Sequence, residues 1–440
     1  MEFLTVLAFI AVFGSYDATS WALLYPDRAT AGSARVDEDN AADMTRAHHV
    51  EVHLMGYNDN QSDGGSVNTF VDWGQRRLED AMEERPPARA IPARDAAAPP
   101  KLQAAAVMHS ELVLSGKPLR PQQHSASIVE TEPGVLLAAW FAGTWEREPD
   151  VGIWTARRRL DGSAWDPPQE VVRPVKGVPT WNPVLLKYGE EILLFYKVGL
   201  FAYSWSGWLV RSSDGGRTWG KPRRLGKGCF GPAKNKPLVL SDGTILAPSS
   251  EEIKQGRQDA WESHFEESTD GGLSWRRLRP IPFIGKMIQP SIWLATDGTV
   301  RMVGRTRMEP ARQRFMALAR CDERGHRCAA AKLTTVPCPN SGLDALKLQD
   351  GRVVVIYNHS FKEGFAARNV LALQISEDDG DSWRRILTLE QQTGLFEFSY
   401  PSVIQAANGM VHVIYTYSTH PRGQGGRENL KHVILDPKLF

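Results

Sequence analysis

The sequence predicts an all-β protein, a six-bladed β-propeller preceded by a mostly disordered N-terminal segment, and three features carry that expectation. From about residue 104 onward, apolar runs of about five to eight residues alternate with D-G and N-G turn signals, a strand pattern rather than a helical one. The stretch SSDGGRTW (Ser212–Trp219) recurs as STDGGLSW (Ser268–Trp275) and SEDDGDSW (Ser376–Trp383). An independent pattern, two apolar strands joined by a tight turn, appears six times, from SASIVETEPGVLLAAWF to YPSVIQAANGMVHVIYTY.

The tryptophans ending the first motif act as a ruler. Trp219 to Trp275 is 56 residues and Trp275 to Trp383 is 108, twice 54, so a copy is missing near residue 329. There RCDERGHRC keeps Asp322 and Gly325, while LDGSAW closes another degenerate copy on Trp165, 54 residues before Trp219. Residues 108–440 number 333, close to six such periods, as expected of blades that cannot bury their own faces and stack around a channel. Each motif is expected between the third and fourth strands of its blade, with D-G-G supplying positive φ, the aspartate and hydroxyls bonding local amides, and the tryptophan packing on a neighbouring face. Chemistry needs a residue once, so a fivefold repeat reads as scaffold. The last blade lacks such a hairpin, and SELVLSG (Ser110–Gly116) is expected to supply its outer strand.

Three segments follow along the chain: residues 1–22, 23–105 and 106–440. The apolar run from Phe3 to Phe13 is too short to span a bilayer and suits a signal-peptide core, with small residues near Ala18–Ala22 for cleavage, although Glu2 stands where a basic residue is expected. The chain is therefore expected in the secretory pathway or outside the cell, and in the cytoplasm if that run is not a signal. Residues 23–105 are polar and acidic, then rich in Ala, Pro and Arg, and read as a linker with room for one short helix around Gln75–Glu84. The propeller fills the remainder.

With 52 Lys+Arg against 51 Asp+Glu, the formal charge of +1 gives no sign of a nucleic-acid partner, and the run Arg157–Arg159 reads as a solvated strand edge. Cys321 and Cys328 are close enough to bridge a short loop, whereas Cys229 and Cys338 are less easily paired. No metal-ligand spacing and no cofactor motif is visible, and a monomer is expected. The sequons at Asn60 and Asn358 matter only if the chain is secreted.

The repeated S-x-D-x-G-x-[ST]-W resembles the Asp-box, or BNR repeat, of the sialidase superfamily of six-bladed propellers. The segments LLAAWFAGTWEREPDVGIW, NKPLVLSDGTILAP, QPSIW, NSGLDALKLQDGRVVVIYN and SYPSVIQ resemble a sialidase-like branch of predicted neuraminidases. This resemblance implies an exo-acting hydrolase of an acidic sugar, of sialic or 2-keto-3-deoxy type, with arginines holding the sugar carboxylate and a tyrosine as nucleophile. Tyr400 matches that nucleophile, and Arg368 matches one carboxylate-binding arginine. For the fourth blade Arg305, Arg307, Arg312 and Arg314 are candidates, and Arg312 fits best by counting, with Arg307 kept beside it.

Two positions depart from that pattern. Gln289 stands where the family has the glutamate that takes the phenolic proton, and His124 stands where it has its first arginine. Glu397, three residues before Tyr400, could replace the base if a bulge turned both inward. Glu146 and Asp150 lie near the family's catalytic aspartate, and Asn182, Lys236, Gln289, Asp344 and Tyr400 fall near comparable blade starts, so they are expected to converge on the channel mouth. Two other readings are carried with the hydrolase: a lyase of uronate-containing glycan using Tyr400 and His124 as acid and base, and a propeller that binds acidic glycan without turnover. In every case the expected partner is an acidic carbohydrate.

Overall fold

The computed structural model describes residues 105–116, 120–162, 164–256, 258–308 and 314–440. Expectations for the signal run, the linker, the Gln75–Glu84 helix, the Asn60 sequon and Arg312 lie outside the described residues.

Strands follow the turn signals. The first strand, β1 (Val107–Leu112), precedes blade one, which holds β2 (Gln122–Glu132), β3 (Val135–Gly143), β4 (Gly152–Arg159) and β5 (Gln169–Val172). Blade two holds β6 (Thr180–Tyr188), β7 (Glu191–Val198), β8 (Ser206–Ser212) and β9 (Arg223–Arg224), and blade three β10 (Leu238–Val239), β11 (Ile245–Gln255), β12 (Gln258–Ser268) and β13 (Arg276–Pro280). Blade four has β14 (Lys286–Leu294), β15 (Val300–Arg307), β16 (Phe315–Arg320) and β17 (Lys332–Pro337), and blade five β18 (Asp344–Lys347), β19 (Val353–Asn358), β20 (Val370–Ser376) and β21 (Arg384–Gln391). Blade six takes β22 (Phe398–Gln405), β23 (Val411–Tyr417) and β24 (Asn429–Leu435), and its outer position is filled by β1 in the order β1-β24-β23-β22. The closing strand starts three residues before the expected segment.

The second strands are apolar on both faces because each is covered by a blade on either side; Leu136, Leu137, Ala138 and Ala139 are all fully buried. Each core cluster joins two neighbouring blades, as where Leu137, Phe141 and Ile153 meet Leu185, Leu194 and Val210, and each such aliphatic side chain contributes roughly 1.5–3 kcal/mol.

The repeated motifs occupy the turns between third and fourth strands. Asp214 accepts from the Arg217 and Thr218 amides (3.0 and 2.9 Å) and from the Ser212 and Thr218 hydroxyls (2.7 and 2.5 Å). Trp275 meets Phe195 of the preceding blade edge to face at 5.5 Å. In blade four the degenerate copy is closed by a disulfide between Cys321 and Cys328, whereas Cys229 and Cys338 are free and buried.

Two expectations change. Arg158 is buried and pairs with Glu111 of β1 at 2.5 Å, so the basic run is not a solvated edge: one member ties the closing strand to blade one. The Asn358 side chain is buried and donates to the Phe398 carbonyl (2.7 Å) and the Val370 carbonyl (3.0 Å), so the fold withholds that sequon from modification. Among the described residues no helix is long and apolar enough to cross a membrane.

Candidate functional site

The innermost strands deliver side chains to one cavity of about 600 Å³. Bulges interrupt β2, β6, β14 and β22, and at each the chain takes a positive φ on a residue other than glycine: Ser125 (55°), Asn182 (34°), Gln289 (52°) and Tyr400 (53°). Asn182, Gln289 and Tyr400 are each followed by proline, which has no amide to offer the ladder and so fits a bulge. All three side chains line the cavity, as does Asn340 (φ 57°) just before β18.

Tyr400 is the hub. Arg305 donates to its oxygen at 2.7 Å and to the Gln289 side-chain oxygen at 2.9 Å, while the Gln289 amide stands 3.5 Å from the same phenol. The Arg305 Nε donates to Asn340 Oδ1 at 2.9 Å, which fixes the fork. Arg368 and Arg305 lie 5.5 and 5.8 Å from the centre of the Tyr400 ring, and the His124 ring centre is 4.3 Å away. Lys234 is buried under the tyrosine, with its ammonium 5.9 Å from the ring, and burial pushes that amine down to about 7.

Glu397 is turned to the arginines. Its two oxygens accept from Arg368 NH1 and Arg427 Nε, both at 2.8 Å, and Arg427 NH1 donates to Glu146 at 2.6 Å. Burial alone would raise the Glu397 carboxyl, yet the Arg427 and Arg368 charges hold it well below the usual carboxylate range. Among the described residues no hydrogen bond joins Glu397 to the Tyr400 oxygen, so the bulge reorients the tyrosine without pairing the two. Burial and the Arg427 charge push the His124 imidazole well below its usual range, leaving it neutral at pH 7, with Nδ1 2.8 Å from Thr416 Oγ1.

The structure thus brings Tyr400, His124, Glu146, Arg368, Gln289 and Asn182 to one cavity, with Glu397 behind the arginines. It does not bring in Lys236 and Asp344, which pair with each other at 2.8 Å; Asp344 also accepts from Ser291 (2.7 Å) and the Val403 amide (2.9 Å), joining four blades. Asp150 instead holds the Thr144 amide and hydroxyl, each at 2.9 Å, and Arg307 points to Glu363 and Asp259 at 3.5 and 3.6 Å.

Counting along the sequence favoured Arg312 over Arg305 and passed over Arg427. Arg305 was legible as the residue sixteen after Gln289, on the neighbouring strand of the same hairpin. Arg427 had no such signal: it comes from the loop before β24, but its carbonyl accepts from the Gln123 amide at 2.7 Å, placing it beside the blade-one start where His124 replaces the expected arginine. The tryptophans of the cavity wall, Trp145, Trp181, Trp205 and Trp261, were also missed because tryptophan elsewhere in this chain is scaffold. Among the described residues no cluster of His, Cys, Asp and Glu could hold a metal ion.

Comparisons with known proteins agree with the fold. A protein of unknown function from Dyadobacter fermentans shares 18% identity at a TM-score of 0.63, covering 75% of this chain and 98% of its own. A Hadza microbial sialidase (16%, TM-score 0.58) covers 72% of this chain, and the match spans 66% of its own length. Trypanosoma rangeli sialidase, solved with sialic acid (14%, TM-score 0.56), covers 75%, and the match spans 58% of its own length. At these identities the likeness is one of fold. No curated protein matches the sequence. The BNR repeat-like domain matches residues 134–413, more than half of the sequence, and with six blades and the repeated Asp-box turns the chain belongs to that family, as a sialidase-like propeller.

Proposed function

We propose that the protein is an exo-acting glycoside hydrolase that releases a terminal acidic sugar, of sialic or 2-keto-3-deoxy type, from a glycan. The observation that carries this reading is the gathering of Arg305 and Arg368 against Tyr400, with Arg427 lining the same cavity. Five arginines line that cavity against three glutamates, so it favours an anion, and planar guanidinium forks suit a carboxylate. A neutral phenol is a fitting nucleophile for such a sugar because a carboxylate nucleophile would be repelled by the substrate's own charge. Arg305, donating to the phenol oxygen, stabilises the negative charge that develops there as the proton leaves. We assign the removal of that proton to His124, whose ring centre is 4.3 Å from that of Tyr400, since Gln289 cannot accept it.

The same quartet of Tyr400, His124, Gln289 and Arg305 favours a second reading, β-elimination on a uronate-containing glycan, with His124 and Tyr400 as base and acid. A panel of fluorogenic sialic, Kdo-type and uronic glycosides, together with polyuronate, separates the two. Release of an acidic sugar supports the hydrolase, and an ultraviolet-absorbing unsaturated product supports the lyase. Binding on a glycan array without turnover of any substrate would sink both. The disulfide at Cys321 and Cys328 supports passage through an oxidising compartment, in keeping with a secreted enzyme.

A further inference from the structure

The hydrolase reading leaves the proton donor for the leaving oxygen unassigned. Glu146 is engaged by Arg427 at 2.6 Å, Glu148 is exposed on the loop after β3, and Asp150 holds the Thr144 turn. A different carboxyl reaches the cavity from blade three. The strands β11 and β12 are each 11 residues long and carry their hairpin beyond the body of the blade. Glu252 and Trp261 are directly opposed across that hairpin, so both side chains stand on one face, and both line the cavity. Arg305 lies 5.6 Å from the centre of the Trp261 ring while donating to Tyr400 at 2.7 Å. Glu252 is therefore one side chain removed from the cation that grips the phenol.

We propose that Glu252 is the general acid of the site, the group that protonates the leaving oxygen; this rests on the hydrolase reading. The half-buried carboxyl has no ion pair or hydrogen bond among the described residues. Burial raises its pKa, as do the charges of Asp259 on the facing strand and Glu146 on the blade-one loop, while Arg305 and Arg147 act the other way. The balance lies above the ordinary value of a glutamate carboxyl.

In the first step the Tyr400 oxygen bonds to the anomeric carbon and its proton passes to His124. The glycosidic C–O bond breaks, its electron pair stays on the leaving oxygen, and that oxygen takes the Glu252 proton. In the second step the Glu252 carboxylate takes a proton from water as the water oxygen bonds to the anomeric carbon. The Tyr400 bond then breaks and the phenol recovers its proton from His124. Both residues return to their starting states.

The test compares Glu252→Gln with the parent on sialyllactose, whose sugar leaving group needs a proton, and on 4-nitrophenyl N-acetylneuraminide, whose leaving group does not. The expected loss in kcat/KM, which reports the first step, is about 10²–10⁴-fold on sialyllactose and under about tenfold on the nitrophenyl substrate, with the basic limb of its pH profile removed. Unchanged thermal unfolding excludes a folding defect, and Glu146→Gln serves as the comparison. Equal losses on both substrates, no loss, or the leaving-group dependence appearing in Glu146→Gln instead overturns the assignment of Glu252 alone. A parent protein that turns over neither these substrates nor the Kdo and uronic glycosides overturns the hydrolase reading, and this assignment with it.

Discussion

Tyr400, Gln289 and Asn182 hold φ values of 53°, 52° and 34°, a left-handed region that costs a residue other than glycine about 1–3 kcal/mol. The same device recurs on separate blades, and these three residues all line the cavity. Strain here is spent on aiming side chains. Replacing Tyr400 with Phe keeps that backbone and removes only the oxygen; Arg305 still has Gln289 at 2.9 Å and Asn340 at 2.9 Å. Turnover should fall by at least about 10³-fold while the melting temperature moves by no more than a few degrees, measured on the same preparation. Equal activity in the two proteins would remove the proposed nucleophile. At this scale the sequence was partly legible: the proline after each aimed residue marks a broken ladder. Asn340 and Arg427 carry no such mark, because both sit in loops where neither alternation nor spacing constrains direction.

The hairpin turns show what repetition is for. Asp270 accepts four hydrogen bonds, from the Ser268 hydroxyl, the Leu273 amide, the Ser274 amide and the Ser274 hydroxyl. The Ser274 hydroxyl foremost, with the other donors, outweighs the opposing effect of burial and brings its carboxyl down to about 2. Asp270→Ala should cost about 1–3 kcal/mol in denaturant unfolding and leave kcat nearly unchanged, since the turn is remote from the cavity lining. Blade four has lost the serine and tryptophan of the motif, and the Cys321–Cys328 disulfide closes the turn instead. For so short a loop, Cys321→Ser should lower stability by about 2 kcal/mol, read as a shift in the urea midpoint with little change in slope. These elements were the most legible, since local turn chemistry repeats with the blade period. The long blade-three hairpin was not, because IKQGRQDAW has no alternation distinguishing an extended hairpin from a loop.

Closure of the ring depends on a strand far away in sequence. Glu111 on β1 pairs with Arg158 of blade one at 2.5 Å and accepts from His432 of β24 at 2.9 Å and from the Trp165 indole at 3.1 Å. One carboxylate thus fastens blade six to blade one. Burial would raise this group, but the His432 hydrogen bond and the Arg158 charge prevail and hold it at about 2, against an ordinary value of 4.5. Its folded value is the lower one, so its stabilisation is complete above about pH 4.5 and fades as the pH falls toward 2. Glu111→Gln should cost about 3 kcal/mol at pH 7, with the gap from the parent narrowing in acid. The number of blades was legible from a single period, and so was the need for a strand from the N-terminal side. The clasp itself was not, because Arg158 sits in a basic run that looks like solvated surface until the closing strand covers it.

At the scale of the whole molecule, four blade starts, those carrying His124, Asn182, Gln289 and Tyr400, converge to place one phenol beside a cluster of guanidiniums. The most direct test is intact-mass analysis with peptide mapping after incubation with the 2,3-difluorinated analogue of whichever acidic sugar the protein releases. The expected result is one sugar adduct, on the peptide containing Tyr400, and none on Tyr400→Phe. Release of the acidic sugar with the adduct on a different residue, or with no adduct while the fluorinated analogue inhibits, would contradict the central claim.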